Sequence, residues 1–201
     1  MYHEIVDQPT ESGLIFDCDG TLADTMPLHF LSWHEVMNDH GIEFTEDRFY
    51  ALAGQPTVHI IEKLMNEQEI HGDARALADE KEHRFLELIP RVQPIKPIVR
   101  IARNFRQRCR LGVGSGSSRD SVHKVLEQIG LANLFDAVVG AEDTPNPKPA
   151  PDVFLEVARR IGVAPGDCRV YEDADLGIEA AHRAGMSSFD IRTVHTPRRI
   201  Q

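Results

Sequence analysis

The stretch Gly13–Thr21, which reads GLIFDCDGT, decides the fold. Four uncharged residues run directly into Asp17, and Asp19 follows two positions later. A short apolar run without polar alternation is typical of a strand that is buried on both faces of a parallel sheet. Ligands of open α/β sheets bind beyond the carboxyl ends of the strands. The stretch therefore predicts a first parallel strand with two carboxylates at a ligand-binding edge.

Further runs of the same kind punctuate the rest of the chain and end in small or polar residues. They are residues 111–114, 137–140, 168–171 and 188–191. Three of the helices predicted between them stop at a Gly followed by an apolar residue, at Gly130, Gly162 and Gly185. Gly just past a helix accepts the left-handed conformation, and the next apolar side chain packs back on the last turn. Alternating strands and helices predict an α/β core with a Rossmann-like, doubly wound parallel sheet.

The first half of the chain interrupts this alternation. Gly20 and Leu111 are 91 positions apart, whereas a crossover between parallel strands needs little more than one helix. Helical periodicity runs through residues 28–37, 60–65 and 74–89, and residues 98–105 read as the helix that returns to the core. We therefore predict an inserted all-α helical cap domain at residues 25–95, with the core domain at residues 1–24 and 96–201.

Composition excludes several classes of function. The chain of 201 residues has 32 acidic and 22 basic residues, a formal net charge of -10, which disfavours nucleic acid as a partner. Three Cys without a paired framework argue against a disulfide-stapled secreted domain. No apolar run reaches the length that spans a bilayer, and residues 1–12 lack the apolar region of a signal peptide. We expect a cytoplasmic protein that binds neither nucleic acid nor membrane.

The predicted strand ends carry a chemically distinctive set of side chains. It consists of Asp17, Asp19, Ser115, Lys148, Glu172 and Asp173. Because the carboxyl ends of parallel strands meet at one edge, the carboxylates would repel one another unless a cation held them, and oxygen ligands of this kind suit Mg²⁺. A carboxylate can also attack phosphorus, while an ammonium and a hydroxyl orient the phosphoryl oxygens. This set predicts phosphoryl transfer with Mg²⁺.

Asp17-Cys18-Asp19-Gly20-Thr21, Ser115, Lys148 and Glu172-Asp173, in this order, resemble the four motifs of the haloacid dehalogenase superfamily of phosphohydrolases and phosphomutases. The resemblance covers essentially the whole chain. It implies that Asp17 is the nucleophile and a Mg²⁺ ligand. Asp19 would offer its main-chain carbonyl to the metal, and its side chain would act as acid and then as base. By the same resemblance, Ser115 and Lys148 would hold the phosphoryl oxygens, and Glu172 and Asp173 would anchor Mg²⁺.

Within the superfamily, the start of the insert resembles the β-phosphoglucomutase-like subfamily. There the residues matching Thr25 and His29 lie at the hinge and couple cap closure to acid/base catalysis. The candidate substrate-binding residues are Gly54, Thr57, Lys81, Gly116 and Ser117. Trp33 is interpreted as part of the cap core, and Cys18 as a buried, inert thiol.

Two departures from the mutase pattern bear on the reaction. Thr57 lies near the position of a cap Arg that grips a second phosphate, and a Thr cannot make a bidentate cationic clamp. Arg119 stands roughly where mutases have an Asn, whereas Lys81 matches their second cap cation. We therefore favour a phosphatase that resembles the bacterial fructose-1-phosphatase branch, with a small phosphorylated metabolite as partner and a phospho-Asp17 intermediate.

Two alternatives remain open from the sequence. The first is a phosphomutase of the β-phosphoglucomutase type. The second, from another class, is a phospho-receiver signalling domain, although the D-x-D motif and the long insert point away from it. A monomer or weak homodimer is expected.

Overall fold

Five parallel strands form one sheet in this structure, a computed structural model that describes residues 6–200. Residues 1–5 and 201 of the predicted core domain lie outside the described part. The strands are β1 (Gly13–Phe16), β2 (Arg110–Gly114), β3 (Ala137–Val139), β4 (Cys168–Glu172) and β5 (Ser187–Asp190). Their spatial order is β3-β2-β1-β4-β5, so the strand with the acidic motif lies in the middle.

Helices cover both faces of the sheet. They are α5 (Lys96–Phe105), α6 (Arg119–Gln128), α7 (Asp152–Ile161) and α8 (Asp175–Arg183), numbered in chain order after the four helices described next. Leu14 and Phe16 pack with α5 and α6, and Ile15 packs with α7 and α8, because successive side chains of a strand point to opposite faces. The predicted helix stops at Gly130, Gly162 and Gly185 all have positive φ. The predicted doubly wound α/β fold is confirmed.

Four helices lie between β1 and α5: α1 (Met26–Asp39), α2 (Glu46–Ala51), α3 (Thr57–Glu67) and α4 (Ala74–Leu88). They enclose a second apolar core, to which Phe30, Trp33 and Ile61 belong. Helix α4 joins the two cores, since its Leu77 packs in the second core and its Phe85 in the core of the sheet. The helix α2 was not predicted, because six residues are too few for a clear helical period.

The two connections to these helices run side by side. The N–H of Asp24 donates to the carbonyl of Gln93 at 2.9 Å, and the N–H of Ile95 donates to the carbonyl of Leu22 at 2.9 Å. The chain thus enters and leaves the insert at one place, next to the carboxyl end of β1. Among the described residues, no helix has the length and apolarity needed to cross a bilayer.

Candidate active site

The register of the sheet brings the ends of β1 and β4 level. Phe16 is paired with Val113 of β2 and with Tyr171 of β4. The N–H of Asp17 continues this pairing and donates to the carbonyl of Tyr171 at 3.0 Å. Asp17 and Glu172 therefore leave neighbouring strands at the same height, as the sequence predicts for the carboxyl edge of a parallel sheet.

Lys148 joins these two carboxylates from the loop between β3 and α7. Its Nζ donates to Oδ1 of Asp17 and to Oε2 of Glu172, each at 2.7 Å, and lies 4.9 Å from the ring centre of Phe154. All three charged side chains are buried. Burial works to lower the pKa of Lys148, but the two carboxylates outweigh it and raise that pKa. Lys148 is thus a fixed ammonium in the site.

Three carboxylates at this edge form a candidate metal site. Asp17, Glu172 and Asp173 each offer an oxygen, and these atoms all lie within 4.8 Å of one another. Burial raises the pKa of Asp17 to about 8 against the lowering effect of Lys148, with Glu172 and Asp19 adding to the rise. Burial and the charges of Glu172 and Asp17 likewise raise the pKa of Asp173 well above its ordinary value. One ammonium does not offset this crowding, so the oxygen donors fit a divalent cation such as Mg²⁺.

Glu172 is the most constrained of the three carboxylates. Its Oε1 accepts the N–H groups of Asp173 at 3.0 Å and Ala174 at 2.9 Å, while Oε2 accepts the ammonium of Lys148. Both of its oxygens therefore already have donors. In Asp17, by contrast, Oδ1 is bound by Lys148, and no side chain among the described residues donates to Oδ2.

Two small residues and a hydroxyl support this arrangement, and sequence reasoning did not assign them a role. A side chain on Gly177 would overlap the carboxylate of Glu172, and one on Gly20 would overlap that of Asp173. The hydroxyl of Thr21 donates to Oδ1 of Asp173 at 3.1 Å. Gly20 and Thr21 lie in the quoted DCDGT motif, which is a signal that could have found them. Gly177 has no such signal, because only the packing of α8 on the strand end brings it to Glu172.

Asp19 does not belong to the group of three carboxylates described above. Its side chain is held by hydroxyl and imidazole groups. Its Oδ1 accepts the hydroxyl of Thr25 at 2.8 Å and lies 3.2 Å from Nε2 of His29. Its Oδ2 accepts the hydroxyls of Ser117 at 2.7 Å and Ser115 at 3.4 Å. Burial works to raise the pKa of Asp19, but these partners, His29 first, outweigh it and lower that pKa. In this conformation Asp19 is a carboxylate.

The second nitrogen of His29 contacts Lys81 of helix α4. The two groups, Nζ of Lys81 and Nδ1 of His29, are 3.0 Å apart, which fits a neutral imidazole whose Nε2–H donates to Asp19. Burial and the charge of Lys81 lower the pKa of His29, and its ring stacks on Phe85 at 3.7 Å. Lys81, one of the candidate substrate-binding residues, is 3% exposed and lies behind His29 in this conformation.

Of the remaining candidate substrate residues, Ser117 contacts the site through its hydrogen bond to Asp19. Gly54 has positive φ and lies against Leu176 of α8, and Thr57 is the first residue of α3. Gly116 is exposed. The guanidinium of Arg119 donates to Oδ1 of Asp143 at 2.8 Å, which ties it to the neighbouring loop.

The hydroxyl of Ser115 takes part in the site, not in helix capping. It accepts the N–H of Ser117 at 3.0 Å, while the cap of α6 is Ser118, whose hydroxyl accepts the N–H of Ser121. The expectations for Trp33 and Cys18 agree with their burial, and burial raises the pKa of the Cys18 thiol. The structure therefore brings together all six predicted strand-end residues and adds Thr25 and His29 through Asp19.

Comparison with known proteins identifies relatives of the whole fold. A family model described as "Haloacid dehalogenase-like hydrolase" matches residues 14–191. The fructose-1-phosphate phosphatase YqaB of Escherichia coli is 41% identical over 182 residues, which cover 90% of this chain and 96% of that protein. The β-phosphoglucomutase of Bacillus subtilis is 29% identical, with 86% of this chain and 80% of that protein covered. The crystal structure of a β-phosphoglucomutase from Clostridium difficile matches with a TM-score of 0.79 and 25% identity, covering 89% of this chain and 83% of that one.

Proposed function

This chain belongs to the haloacid dehalogenase-like hydrolase family, and we propose that it is a Mg²⁺-dependent phosphatase of small sugar phosphates such as fructose 1-phosphate. The observation that carries the proposal is the buried Asp17 carboxylate. Its Oδ1 accepts the ammonium of Lys148, and no side chain among the described residues donates to its Oδ2. The similarity to the E. coli fructose-1-phosphate phosphatase supports the class of substrate.

We propose that residues 25–95 serve as a cap over this site. In the first step, Oδ2 of Asp17 attacks phosphorus, the ester P–O bond breaks, and the leaving oxygen takes a proton from Asp19. In the second, Asp19 takes a proton from water, the water oxygen attacks phosphorus, and phosphate leaves as the Asp17 carboxylate is restored. Ser115 and Lys148 orient the phosphoryl oxygens.

Asp19 can donate a proton only after its surroundings change. Its present partners at Thr25, His29 and Ser117 stabilise the carboxylate. Because Thr25 and His29 lie at the start of the insert, a movement of the cap that breaks these hydrogen bonds would raise the pKa of Asp19. This links acid catalysis to cap position.

Asp17 and Asp173 would hold Mg²⁺, with the main-chain carbonyl of Asp19 as the third protein ligand. Glu172, the third carboxylate of the candidate metal site, also fixes Lys148 and the loop after β4. When bound, the cation offsets negative charge that develops on the phosphoryl group. A cytoplasmic location and a monomer or weak homodimer stay predictions.

The test is phosphate release from fructose 1-phosphate, with and without Mg²⁺, for the wild type and the Asp17→Asn variant. We expect release only with Mg²⁺ and its loss in Asp17→Asn. The control is Asp120→Asn, because Asp120 is an exposed partner of Lys124 on α6. Full turnover by Asp17→Asn would overturn the assignment of the nucleophile.

The alternative is a phosphomutase, which the similarity to β-phosphoglucomutases supports. Two contacts speak against it: Arg119 is tied to Asp143 and Lys81 to His29, so neither offers an unengaged cation to a second phosphate. β-Glucose 1-phosphate with its bisphosphate activator decides between the two. Rapid formation of glucose 6-phosphate with little phosphate release would favour the mutase. The family match leaves the receiver-domain alternative without support.

A further inference from the structure

The segment of residues 194–200 runs from the sheet domain to the inserted helices. Its near end is anchored in the core, because Ile191 is fully buried and its carbonyl accepts the N–H groups of Val194 and His195 at 2.9 Å each. The segment then passes the hinge, the place where the two linkers of the insert run side by side. It reaches helix α2, which lies far from the segment in sequence.

The far end of the segment is bound to α2 by three contacts. The N–H of Ile200 donates to both carboxylate oxygens of Glu46, at 2.9 and 3.0 Å, and Glu46 is buried. The guanidinium of Arg199 lies 4.0 Å from the ring centre of Tyr50 and 3.3 Å from Oδ1 of Asp47. Hydrogen bonds to charged groups and cation–π contacts are stronger than an exposed ion pair alone.

The middle of the segment contacts the hinge. Nε2 of His195 lies 3.4 Å from Oδ1 of Asp24, the residue whose N–H joins the two linkers. The segment therefore touches the core, the hinge and the insert in succession.

We propose that residues 194–200 form a strap that holds helix α2 against the core and limits how far the cap opens. Two linkers that run side by side form a hinge, about which the cap can rotate. A third connection at α2 restrains that rotation. The loop with Gly54 follows α2 directly and leads into Thr57 at the start of α3, so the strap also positions these candidate substrate residues.

The experiment measures the distance between cap and core in the full chain. Spin labels are placed at Glu62→Cys on α3 and Glu127→Cys on α6, both exposed, with Cys109→Ser to remove the most accessible native thiol. Double electron–electron resonance then compares the distance between the two labels in four forms of this background. They are the parent, Arg199→Ala, a chain that ends at Thr196, and Arg198→Ala. Arg198→Ala is the matched control, because it removes the same charge one position away. Arg198 has no polar contact with the described residues.

We expect a broader distribution with longer distances for Arg199→Ala and for the shortened chain, and an unchanged one for Arg198→Ala. The role in substrate positioning rests on the proposed function, and phosphate release tests it separately. We expect a roughly three- to tenfold rise in KM with kcat within about twofold, the range that a few contacts of this kind can supply.

Each outcome has a definite meaning. Unchanged distances in both Arg199→Ala and the shortened chain would overturn the strap. Broadened distances with an unchanged KM would keep the restraint and overturn its role in positioning substrate. Broadened distances in a protein that releases no phosphate from any sugar phosphate would keep the strap while the proposed function fails.

Discussion

Replacing Gly177 by Ala tests the packing beneath the candidate active site. Gly177 is the third residue of α8, and a methyl group there would overlap the carboxylate of Glu172. Helix propensity alone predicts that Ala stabilises a helix by up to about 1 kcal/mol relative to Gly. The overlap with Glu172 predicts that Ala destabilises the protein. The sign of the change in the free energy of unfolding therefore separates the two effects.

The magnitude follows from what Glu172 must give up. Its carboxylate accepts the ammonium of Lys148 and two main-chain N–H groups. Overpacking costs about 1–3 kcal/mol, and a lost hydrogen bond to a charged group about 1.5–3 kcal/mol. After the gain in helix propensity, we expect a net loss of about 1.5–5 kcal/mol. For a chain of this size, that corresponds to a fall of about 3–20 °C in Tm.

The assay is calorimetric unfolding together with phosphate release. The control is Gly166→Ala, because a side chain there meets no atom within 4 Å and needs no left-handed backbone. We expect Gly177→Ala to lose most of its phosphate release, since Lys148 loses one of its two fixed partners. A Tm that rises, with phosphate release intact, would refute the reasoning.

Two further predictions concern titration. Lys81→Met removes a positive charge 3.0 Å from Nδ1 of His29, so the pKa of His29 should rise, as followed by NMR of the imidazole nitrogens. The control Lys63→Met, at an exposed lysine, should leave the pKa of His29 unchanged. A pKa of His29 that stays low in Lys81→Met would contradict the charge effect. Without Mg²⁺, the free energy of unfolding should fall as the pH rises from about 4 to about 8, because the raised pKa of Asp17 favours folding of the protonated form. Saturating Mg²⁺ should remove this fall, because the affinity for Mg²⁺ grows by up to about tenfold per pH unit over the same range, as calorimetric titrations would measure. An affinity for Mg²⁺ that does not change with pH would exclude proton release on binding.

The strand-end residues could be predicted from sequence because they follow local signals. Asp17 comes directly after an apolar run, and Glu172 does the same 155 positions later. The parallel sheet then brings them level, whatever the length of chain between them. The contact of Lys81 with His29 has no such signal, since the two residues belong to different helices of the insert and meet only through packing. The strap was missed for the same reason: residues 194–200 have no periodicity, and their partners lie about 150 positions earlier.

An acidic chain that handles a phosphate needs a local reversal of charge. The chain has a formal net charge of -10, and three carboxylates at the candidate site face a single ammonium. Lys148 cannot serve as the whole anion site, because it is shared between Asp17 and Glu172 and its charge is largely offset there. A divalent cation between Asp17 and Asp173 would change the sign of the field at the strand ends while leaving the rest of the surface acidic. The same acidic surface would disfavour larger polyanions, so the small size of the proposed substrate and the requirement for a cation have one electrostatic cause.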